Sequence, residues 1–284
     1  IIKKYKKYFN KNQIIIIRSS IYPNIGNHIK NILGNKINWH ISYCPERIVQ
    51  GYSMIELKKL PQIISGFTKK SIIESEKLFK KITKKTIISS IKEAELAKLF
   101  TNSLRYIEFA IANQFYMIAD ENNVNFDRLR EVMTYGYKRA KKLPSAGFAA
   151  GPCLLKDTMQ LHSFIDNQFL LGQASMMINE SLPNFIINKI KKTHNLENLT
   201  VGILGMSFKA NVDDIRDSLS FKLKKILEFK NCKVLCSDYL VNDKSYVSEE
   251  FLIKKSNVVI LAVPHERYKK IKLPKNKLFI NLWY

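Results

Sequence analysis

The sequence of 284 residues contains little glycine, proline or cysteine, with 10, 8 and 4 residues of each. These low counts exclude a disulfide-framed miniprotein and a collagen-like or low-complexity repeat. Long apolar runs are also lacking, since a stretch such as residues 258–263 is far short of the roughly 20 residues that cross a bilayer. With 46% hydrophobic residues, the chain is expected to form about two globular domains without a membrane span.

Acidic residues are scarce as well. The chain has 24 Asp and Glu against 47 Lys and Arg, which gives a net charge of +23. Such an excess is typical of polyanion-binding proteins, but no basic stripe interleaved with aromatic residues accompanies it. The lysines are scattered among abundant Ile and Asn, the composition of an AT-rich coding sequence. We therefore predict no nucleic-acid partner, although a positive field would attract an anionic nucleotide.

The cysteines show no paired framework. Cys232 and Cys236 have the wrong spacing for a zinc knuckle, and no neighbouring histidine completes one, so no metal site is expected. No signal peptide is recognisable, which favours a cytoplasmic protein. The chain begins at Ile1 rather than Met, which suggests a fragment of a longer sequence.

The first region reads as alternating strands and helices. Ile14–Ile17 is a continuous β-branched run of the kind found in buried parallel strands. Further strands are predicted at residues 37–43 and 62–65, and helices at residues 1–9 and 69–81. We assign residues 1–90 to an α/β domain.

A long helix is predicted over residues 91–122. Neither glycine nor proline interrupts this stretch, and the apolar positions cover more than one face. A helix of this type is buried between domains or against a second subunit. We assign residues 91–195 to a central helical domain that forms a homodimer through this helix.

The last region, residues 196–284, repeats a strand–helix–strand alternation. A strand at residues 200–204 ends in Gly205, a helix follows at 218–229, and further strands are predicted at 233–236 and 257–263. This order fits a nucleotide-binding doubly wound sheet, although the glycine pattern lacks the full GxGxxG. The fold class is therefore α/β, with a partial Rossmann-like domain, a central helical domain and a C-terminal Rossmann-like domain.

The residues 147–157 carry the clearest chemical signal. If Pro152 occupies the first helical position, Cys153 lies in the first turn and shares a face with Lys156 and Asp157. A helix N-terminus and a neighbouring ammonium group favour the nucleophilic thiolate. The alternative reading is a buried, inert cysteine.

Two other segments could contribute polar groups to the same chemistry. Lys98 and Asn102 lie one turn apart on an apolar helix, where they could stabilise an oxyanion, or they could mark a surface edge. Glu46 follows a predicted strand end, where active-site groups of α/β sheets gather.

Together these segments resemble the nucleotide-sugar dehydrogenases, the UDP-glucose and UDP-N-acetylhexosamine 6-dehydrogenase family. Residues 18–23 (RSSIYP) are similar to the family's RSTVYPG segment, and residues 44–47 (CPER) to its PE motif. Lys98 and Asn102 match its K-x-x-x-N helix. The family's nucleophile motif is matched by residues 151–157 (GPCLLKD), and its GxxFK…DDxRxS signature by residues 205–209 and 213–218.

The resemblance implies oxidation of C6 of a UDP-hexose to the uronic acid with two NAD⁺, in cell-surface polysaccharide synthesis. Cys153 would attack the intermediate aldehyde and form a thioester, while Lys98 and Asn102 stabilise oxyanions and Asp157 and Glu46 handle protons. The C-terminal domain would bind UDP. By the same resemblance, the substrate-binding residues are Arg47, Phe148, Gly151, Lys156 and Lys209, and the cofactor-binding residues are Ser20, Glu46, Lys156 and Arg216.

Two departures from the family pattern stand out. The family's opening strand, GxGxxG turn and ribose-binding acidic residue have no counterpart, so we expect an N-terminally truncated chain that has lost useful NAD affinity. Ala149 and Ala150 also replace the glycines usual before the nucleophile. A non-catalytic fragment that keeps UDP-sugar binding and dimerisation is therefore an alternative.

The substrate is assigned from the same motifs. Arg47 after the PE pair and Tyr22-Pro23 favour a UDP-N-acetylhexosamine, and UDP-glucose is the second choice.

Overall fold

A computed structural model describes residues 1–34, 37–271, 274 and 277–283. The chain folds into two compact units. The first unit comprises Ile1–Asn102 and Asp157–Gln168, and the second comprises Ser103–Lys156 and Phe169–Tyr284.

The first unit is built on a four-stranded sheet. Its strands, in spatial order, are β1 (Ile14–Ile17), β2 (His40–Tyr43), β3 (Gln62–Gly66) and β4 (Thr86–Ile88). β1 and β2 are parallel, β2 and β3 are antiparallel, and β3 and β4 are parallel. Because β1 and β2 run the same way, the segments that follow them emerge at one edge of the sheet.

Helices pack against this sheet through apolar side chains. Ile29 and Leu33 form a buried cluster with Trp39 and Ile41. A reciprocal capping box between Thr68 and Ser71 starts one of the helices. The helices of this part of the chain are α1 (Ile2–Tyr5), α2 (Ile25–Leu33), α3 (Ser53–Lys59), α4 (Lys69–Lys80) and the beginning of α5 (Ile91–Glu121).

The second unit combines helices with a parallel sheet. Its helical part contains the rest of α5, then α6 (Phe126–Thr134), the start of α7 (Leu154–Phe164), and α8 (Leu170–Lys191). The sheet consists of β5 (Thr200–Leu204), β6 (Lys233–Ser237), β7 (Val258–Leu261) and β8 (Leu278–Asn281), with α9 (Leu219–Phe229) and α10 (Glu249–Lys255) between strands.

The strand order of this second sheet is β6-β5-β7-β8, and all neighbouring strands are parallel. The order reverses between β5 and β7, which is the topological switch point of a doubly wound sheet. One core joins the helices to the sheet, because Leu182 and Ile186 of α8 belong to the same buried cluster as Ile203 and Leu223.

The predicted fold class is confirmed, with parallel strand pairs in both sheets and a long central helix. Two elements differ from prediction. The strand predicted at residues 37–43 begins only at His40, because the Trp39 indole donates to Gly34 O and turns toward the α2 cluster. The helix predicted at residues 1–9 is split into α1 and a 3₁₀ turn at Lys6–Tyr8.

One face of α5 carries apolar side chains that are exposed in the single chain, namely Leu104, Ile111, Phe115 and Ile118. The prediction for this helix was burial between domains or against a second subunit. Among the described residues, no helix combines the length and apolar character that spanning a membrane requires.

We predict that Leu223→Ala lowers the free energy of unfolding by about 2–5 kcal/mol, because Leu223 is fully buried on α9 and its truncation leaves a cavity. Phe229→Ala, at the exposed end of the same helix, is the control and should change stability by less than about 0.5 kcal/mol. Urea unfolding followed by circular dichroism measures both. Equal effects of the two substitutions would contradict the packing described.

Candidate functional site

Three of the predicted site residues meet in the first unit. Asp157 of α7 is fully buried, and its Oδ2 accepts hydrogen bonds from Asn102 Nδ2 at 2.6 Å and from Ser20 Oγ at 3.3 Å. Asn102 comes from α5, and Ser20 follows the carboxyl end of β1. Burial raises the pKa of nearby Tyr43, and the charges of Glu95 and Asp157 raise it further. Asn102 and Ser20 thus orient the buried carboxylate of Asp157 from two other segments of the first unit.

The face of α5 that carries Asn102 also carries other polar residues. Lys98 is half-buried one turn before Asn102. Sequence reasoning missed Glu95, which is 2% exposed and accepts from the backbone amides of Asn24 at 2.9 Å and Gly26 at 3.2 Å. Glu95 therefore caps the N-terminus of α2. No sequence signal distinguished Glu95, because α5 also carries other carboxylates such as Glu93 and Glu108.

Glu46 is fixed by several partners at the carboxyl edge of β2. Its Oε2 forms an ion pair with Arg18, and its Oε1 accepts from the amides of Arg47 at 2.8 Å and Ile48 at 3.0 Å. Arg18 also lies over the Phe79 ring, 4.8 Å from its centroid. Sequence reasoning gave Arg18 no role. The ion pair joins the segments that follow β1 and β2.

Arg47 is half-buried, and its guanidinium donates to Pro61 O. Burial lowers the pKa of Arg47. Its position next to Glu46 keeps it at the same sheet edge.

Burial distinguishes Cys153 from the other cysteines. Cys44, Cys232 and Cys236 are buried, and Cys153 is exposed. Burial raises the pKa of each of the three buried thiols, to about 11 for Cys236. Those thiols stay protonated at neutral pH and are poor nucleophiles, so Cys153 is the cysteine with access to a substrate.

The loop before Cys153 differs slightly from prediction. α7 begins at Leu154, so Cys153 directly precedes the helix instead of lying in its first turn. The Phe148 side chain is buried in the core of the second unit. Gly151 has a φ of +100°, donates to Asp217 O at 3.2 Å, and leaves no room for a Cβ beside the Phe208 ring. Lys156 is exposed in the first turn of α7.

The turn after β5 contains the predicted residues Lys209 and Arg216. It is closed by a backbone hydrogen bond from Phe208 N to Asp214 O at 2.9 Å. Arg216 is largely exposed and its guanidinium binds Asp214 through Nε and Nη2, at 3.0 and 2.6 Å. The hydrogen bond and charge of Asp214 raise the pKa of Arg216, and Cys153 and Asp217 contribute less.

A buried carboxylate fixes the start of the same turn. Asp238, at the end of β6, accepts from Met206 N at 2.7 Å and Ser207 N at 3.0 Å. His265 Nδ1 accepts from Asn211 N, so the neutral ring donates from Nε2 to Asp238 at 3.2 Å. Burial alone would raise the pKa of Asp238, but these hydrogen bonds lower it to about 2. The amides that cradle phosphate in other Rossmann-like turns are here bound to the protein's own carboxylate.

Among the described residues, no group of three or more His, Cys, Asp or Glu is arranged to hold a metal ion.

Two family models match the chain. Residues 92–181 match the central domain of the UDP-glucose/GDP-mannose dehydrogenase family, and residues 202–282 match its UDP binding domain. UDP-N-acetyl-D-mannosamine dehydrogenase of Methanocaldococcus jannaschii is 28% identical over 271 residues, 94% of this chain and 63% of the relative. The enzyme of the same name from Methanococcus vannielii is 29% identical, over 97% of this chain and 69% of the relative. The chain thus spans about two thirds of the length of these relatives.

Solved structures share the fold. A UDP-D-ManNAc dehydrogenase from Pyrococcus horikoshii superposes with a TM-score of 0.88 at 23% identity, covering 99% of this chain and 75% of its own. A UDP-glucose dehydrogenase from Pyrobaculum islandicum gives 0.87 at 20% identity, covering 96% and 67%.

We predict that Asp238→Asn destabilises the protein by roughly 2 kcal/mol at pH 7, because the turn amides lose a charged acceptor. The pKa of Asp238 is lowered in the folded state to about 2. Its stabilisation is therefore complete above about pH 4 and lost as the pH falls through 2. The difference between wild type and variant should shrink over that interval in urea unfolding at a series of pH values.

Glu197→Gln, at an exposed carboxyl in the segment before β5, is the control and should leave the acid dependence almost unchanged. An Asp238→Asn variant with the wild-type acid profile would show that the carboxylate does not stabilise the turn.

Proposed function

Because the chain belongs to the UDP-glucose/GDP-mannose dehydrogenase family, we propose that it acts in the NAD-dependent oxidation of C6 of a UDP-hexose to the uronic acid. The observation that carries the proposal is the exposed Cys153 directly before α7, whose first turn contributes the buried Asp157 held by Asn102. UDP-N-acetylmannosamine is the favoured substrate, since the relatives from Methanocaldococcus jannaschii and Methanococcus vannielii are named for it. UDP-glucose is the second choice.

The carboxyl edge of β1 and β2 fits part of a nicotinamide dinucleotide. Ser20 and Glu46 follow two neighbouring parallel strands, the position at which open α/β sheets bind nucleotides. The sequence has no GxGxxG turn to cradle the pyrophosphate. When bound, NAD⁺ would supply the hydride acceptor for each oxidation.

Cys153 supplies the covalent step of the proposed reaction. Its thiolate adds to the C6 aldehyde to form a thiohemiacetal, and the second oxidation converts this adduct to a thioester. Water then cleaves the thioester and releases the uronic acid and the thiol. Covalent capture keeps the reactive aldehyde on the protein between the two oxidations.

Asp157 supplies the proton chemistry. Its carboxylate, oriented by Asn102 and Ser20, accepts a proton from the water that attacks the thioester. Lys98, one turn from Asn102, stabilises the alkoxide and the tetrahedral oxyanion. Glu46 shapes the sheet edge through Arg18 and remains a proposed proton carrier.

The UDP moiety is assigned to the second unit. Residues 202–282 match a UDP binding domain, and the turn after β5 presents Lys209 and the exposed Arg216 to an anionic ligand. Lys156 and Arg47 add positive charge for the sugar nucleotide, and Gly151 lets the nucleophile loop approach Phe208 closely.

We predict that Cys153→Ser lowers uronic acid formation at least about 100-fold, because a serine hydroxyl is not ionised at neutral pH. UDP-sugar affinity, measured by calorimetry, should be nearly unchanged. NADH formation is followed by absorbance with UDP-N-acetylmannosamine, UDP-N-acetylglucosamine and UDP-glucose in turn. A second assay detects, by NMR, the thiohemiacetal formed with a UDP-sugar aldehyde that is isotopically labelled at C6.

Cys232→Ser, at a buried cysteine, is the control and should retain turnover and adduct formation. Normal turnover or adduct formation by Cys153→Ser would refute the nucleophile assignment. UDP-sugar binding without NADH or adduct formation by the wild-type chain would instead show a non-catalytic UDP-sugar-binding protein.

We also propose that the chain forms a homodimer through α5. Leu104, Ile111, Phe115 and Ile118 recur at spacings of three, four and seven residues, so they share one face of the helix, and all four are exposed. An exposed apolar stripe of this kind is typical of a surface that a second subunit covers.

We predict that the double substitution Leu104→Glu/Ile111→Glu converts the dimer to a monomer, because two carboxylates would be buried without partners. Light scattering at micromolar concentration measures the mass. Phe251→Glu, at an exposed apolar position of α10, is the control and should remain dimeric. A wild-type monomer, or a dimer that survives the double substitution, would contradict the assignment.

A further inference from the structure

A fully buried amide binds the backbone of the loop that leads to Cys153. Asn113 of α5 is 0% exposed. Its Oδ1 accepts from Gly147 N at 2.8 Å, and its Nδ2 donates to Gly147 O at 3.0 Å. The Asn113 side chain thus satisfies both the N–H and the C=O group of Gly147, as the backbone of a neighbouring β-strand would.

The amide is itself held by a second buried amide. Asn113 Nδ2 also donates to Asn179 Oδ1 at 2.9 Å, and Asn179 Nδ2 donates to Tyr106 O at 3.0 Å. Asn179 comes from α8 and is 0% exposed. These partners determine the orientation of the Asn113 amide. If the amide were flipped, its NH₂ group would face the donor Gly147 N, and its oxygen would face the acceptors Gly147 O and Asn179 Oδ1.

Gly147 has little freedom of its own at this point. Its φ is +145°, in the region that favours glycine, and an added Cβ would lie 2.5 Å from the Trp283 ring. The far end of the loop is fixed at Gly151, which donates to Asp217 O and packs against Phe208. Both ends of the segment before Cys153 are therefore anchored within the second unit.

The residues after the loop continue this anchoring. Leu154, which starts α7 next to Cys153, packs with Ala149 of the loop and with Tyr106. Tyr106 is also the residue whose carbonyl Asn179 binds. The hydrogen bonds at Gly147 and the apolar contacts at Leu154 thus converge on the same part of α5.

We propose that Asn113 is a positioning residue for the Cys153 nucleophile. It touches neither substrate nor cofactor; it fixes Gly147 and thereby the point from which the loop presents the thiol. The inference rests on the proposed function of Cys153. A displacement of about 1 Å between reacting groups can lower the rate about 100-fold. A displaced Gly147 should therefore slow those reactions of Cys153 that require alignment.

The test compares two reactions of Cys153 in Asn113→Leu. The first, called aligned, requires a fixed orientation of the reacting groups, and the second, called unaligned, does not. The aligned reaction is thiohemiacetal formation with the C6-labelled UDP-sugar aldehyde, which should fall at least about tenfold. The unaligned reaction is alkylation by iodoacetamide, a small reagent that needs no fixed approach, and its rate should change less than about threefold. UDP affinity by calorimetry should remain that of the wild type. Amide hydrogen exchange should accelerate in residues 146–153.

Asn122→Ala is the matched control, because Asn122 is an exposed asparagine that donates to Ile118 O at the end of α5. It should leave all four readouts unchanged. Asn113→Asp is a second variant of nearly identical shape that keeps the acceptor for Gly147 N but loses the donor to Gly147 O. If Asn113→Leu does not fold, Asn113→Asp decides by the same criteria.

Unchanged adduct formation in a folded Asn113 variant would overturn the inference while Cys153 keeps its role. A parallel loss of adduct formation, alkylation and UDP affinity would also overturn it, since that is the result of general structural damage. Failure of the wild-type chain to form the adduct, or adduct formation by Cys153→Ser, would refute the proposed function, and the positioning role would fall with it.

Discussion

A polar group buried in a protein must find its hydrogen-bonding partner inside the protein, and the irregular segments of this structure depend on that constraint. Asp157, Asp238, Glu95 and Asn113 are each at most 7% exposed. Three of them bind backbone amides, at the turn after β5, the start of α2 and the loop before Cys153. Leaving any of these groups without a partner would cost about 1–3 kcal/mol or more, so the backbone segments are held where the side chains place them.

The helix α5 contributes many of these side chains. In the first unit its polar face carries Lys98 together with Glu95, which caps α2, and Asn102, which orients Asp157. In the second unit it carries Asn113, which binds the nucleophile loop. A rigid helix is suited to this task, because residues three or four positions apart present their side chains on one face at fixed spacing.

Burial also divides residues of the same type into different roles. Three cysteines have pKa values raised by burial and one is exposed. Among the carboxylates, Asp238 has its pKa lowered to about 2 by the hydrogen bonds that it accepts. Asp238 is therefore ionised at any physiological pH and acts as a structural anchor, whereas Asp157 accepts hydrogen bonds from the side chains of Asn102 and Ser20.

The sequence by itself determined the α/β class, the long helix and most strands, because β-branched runs and the absence of glycine and proline are local signals. It also indicated Cys153, Asp157, Asn102 and Ser20 as a set, through their motifs. Only the tertiary structure decided that Asp157 is held by Asn102 and Ser20, and that Arg18 pairs with Glu46. The roles of Glu95, Asn113 and Asp238 likewise required the fold, because each acts on backbone groups at least 30 residues away in the chain. Such long-range hydrogen bonds leave no periodicity or spacing in the sequence, since their geometry exists only once the helices and sheets have packed.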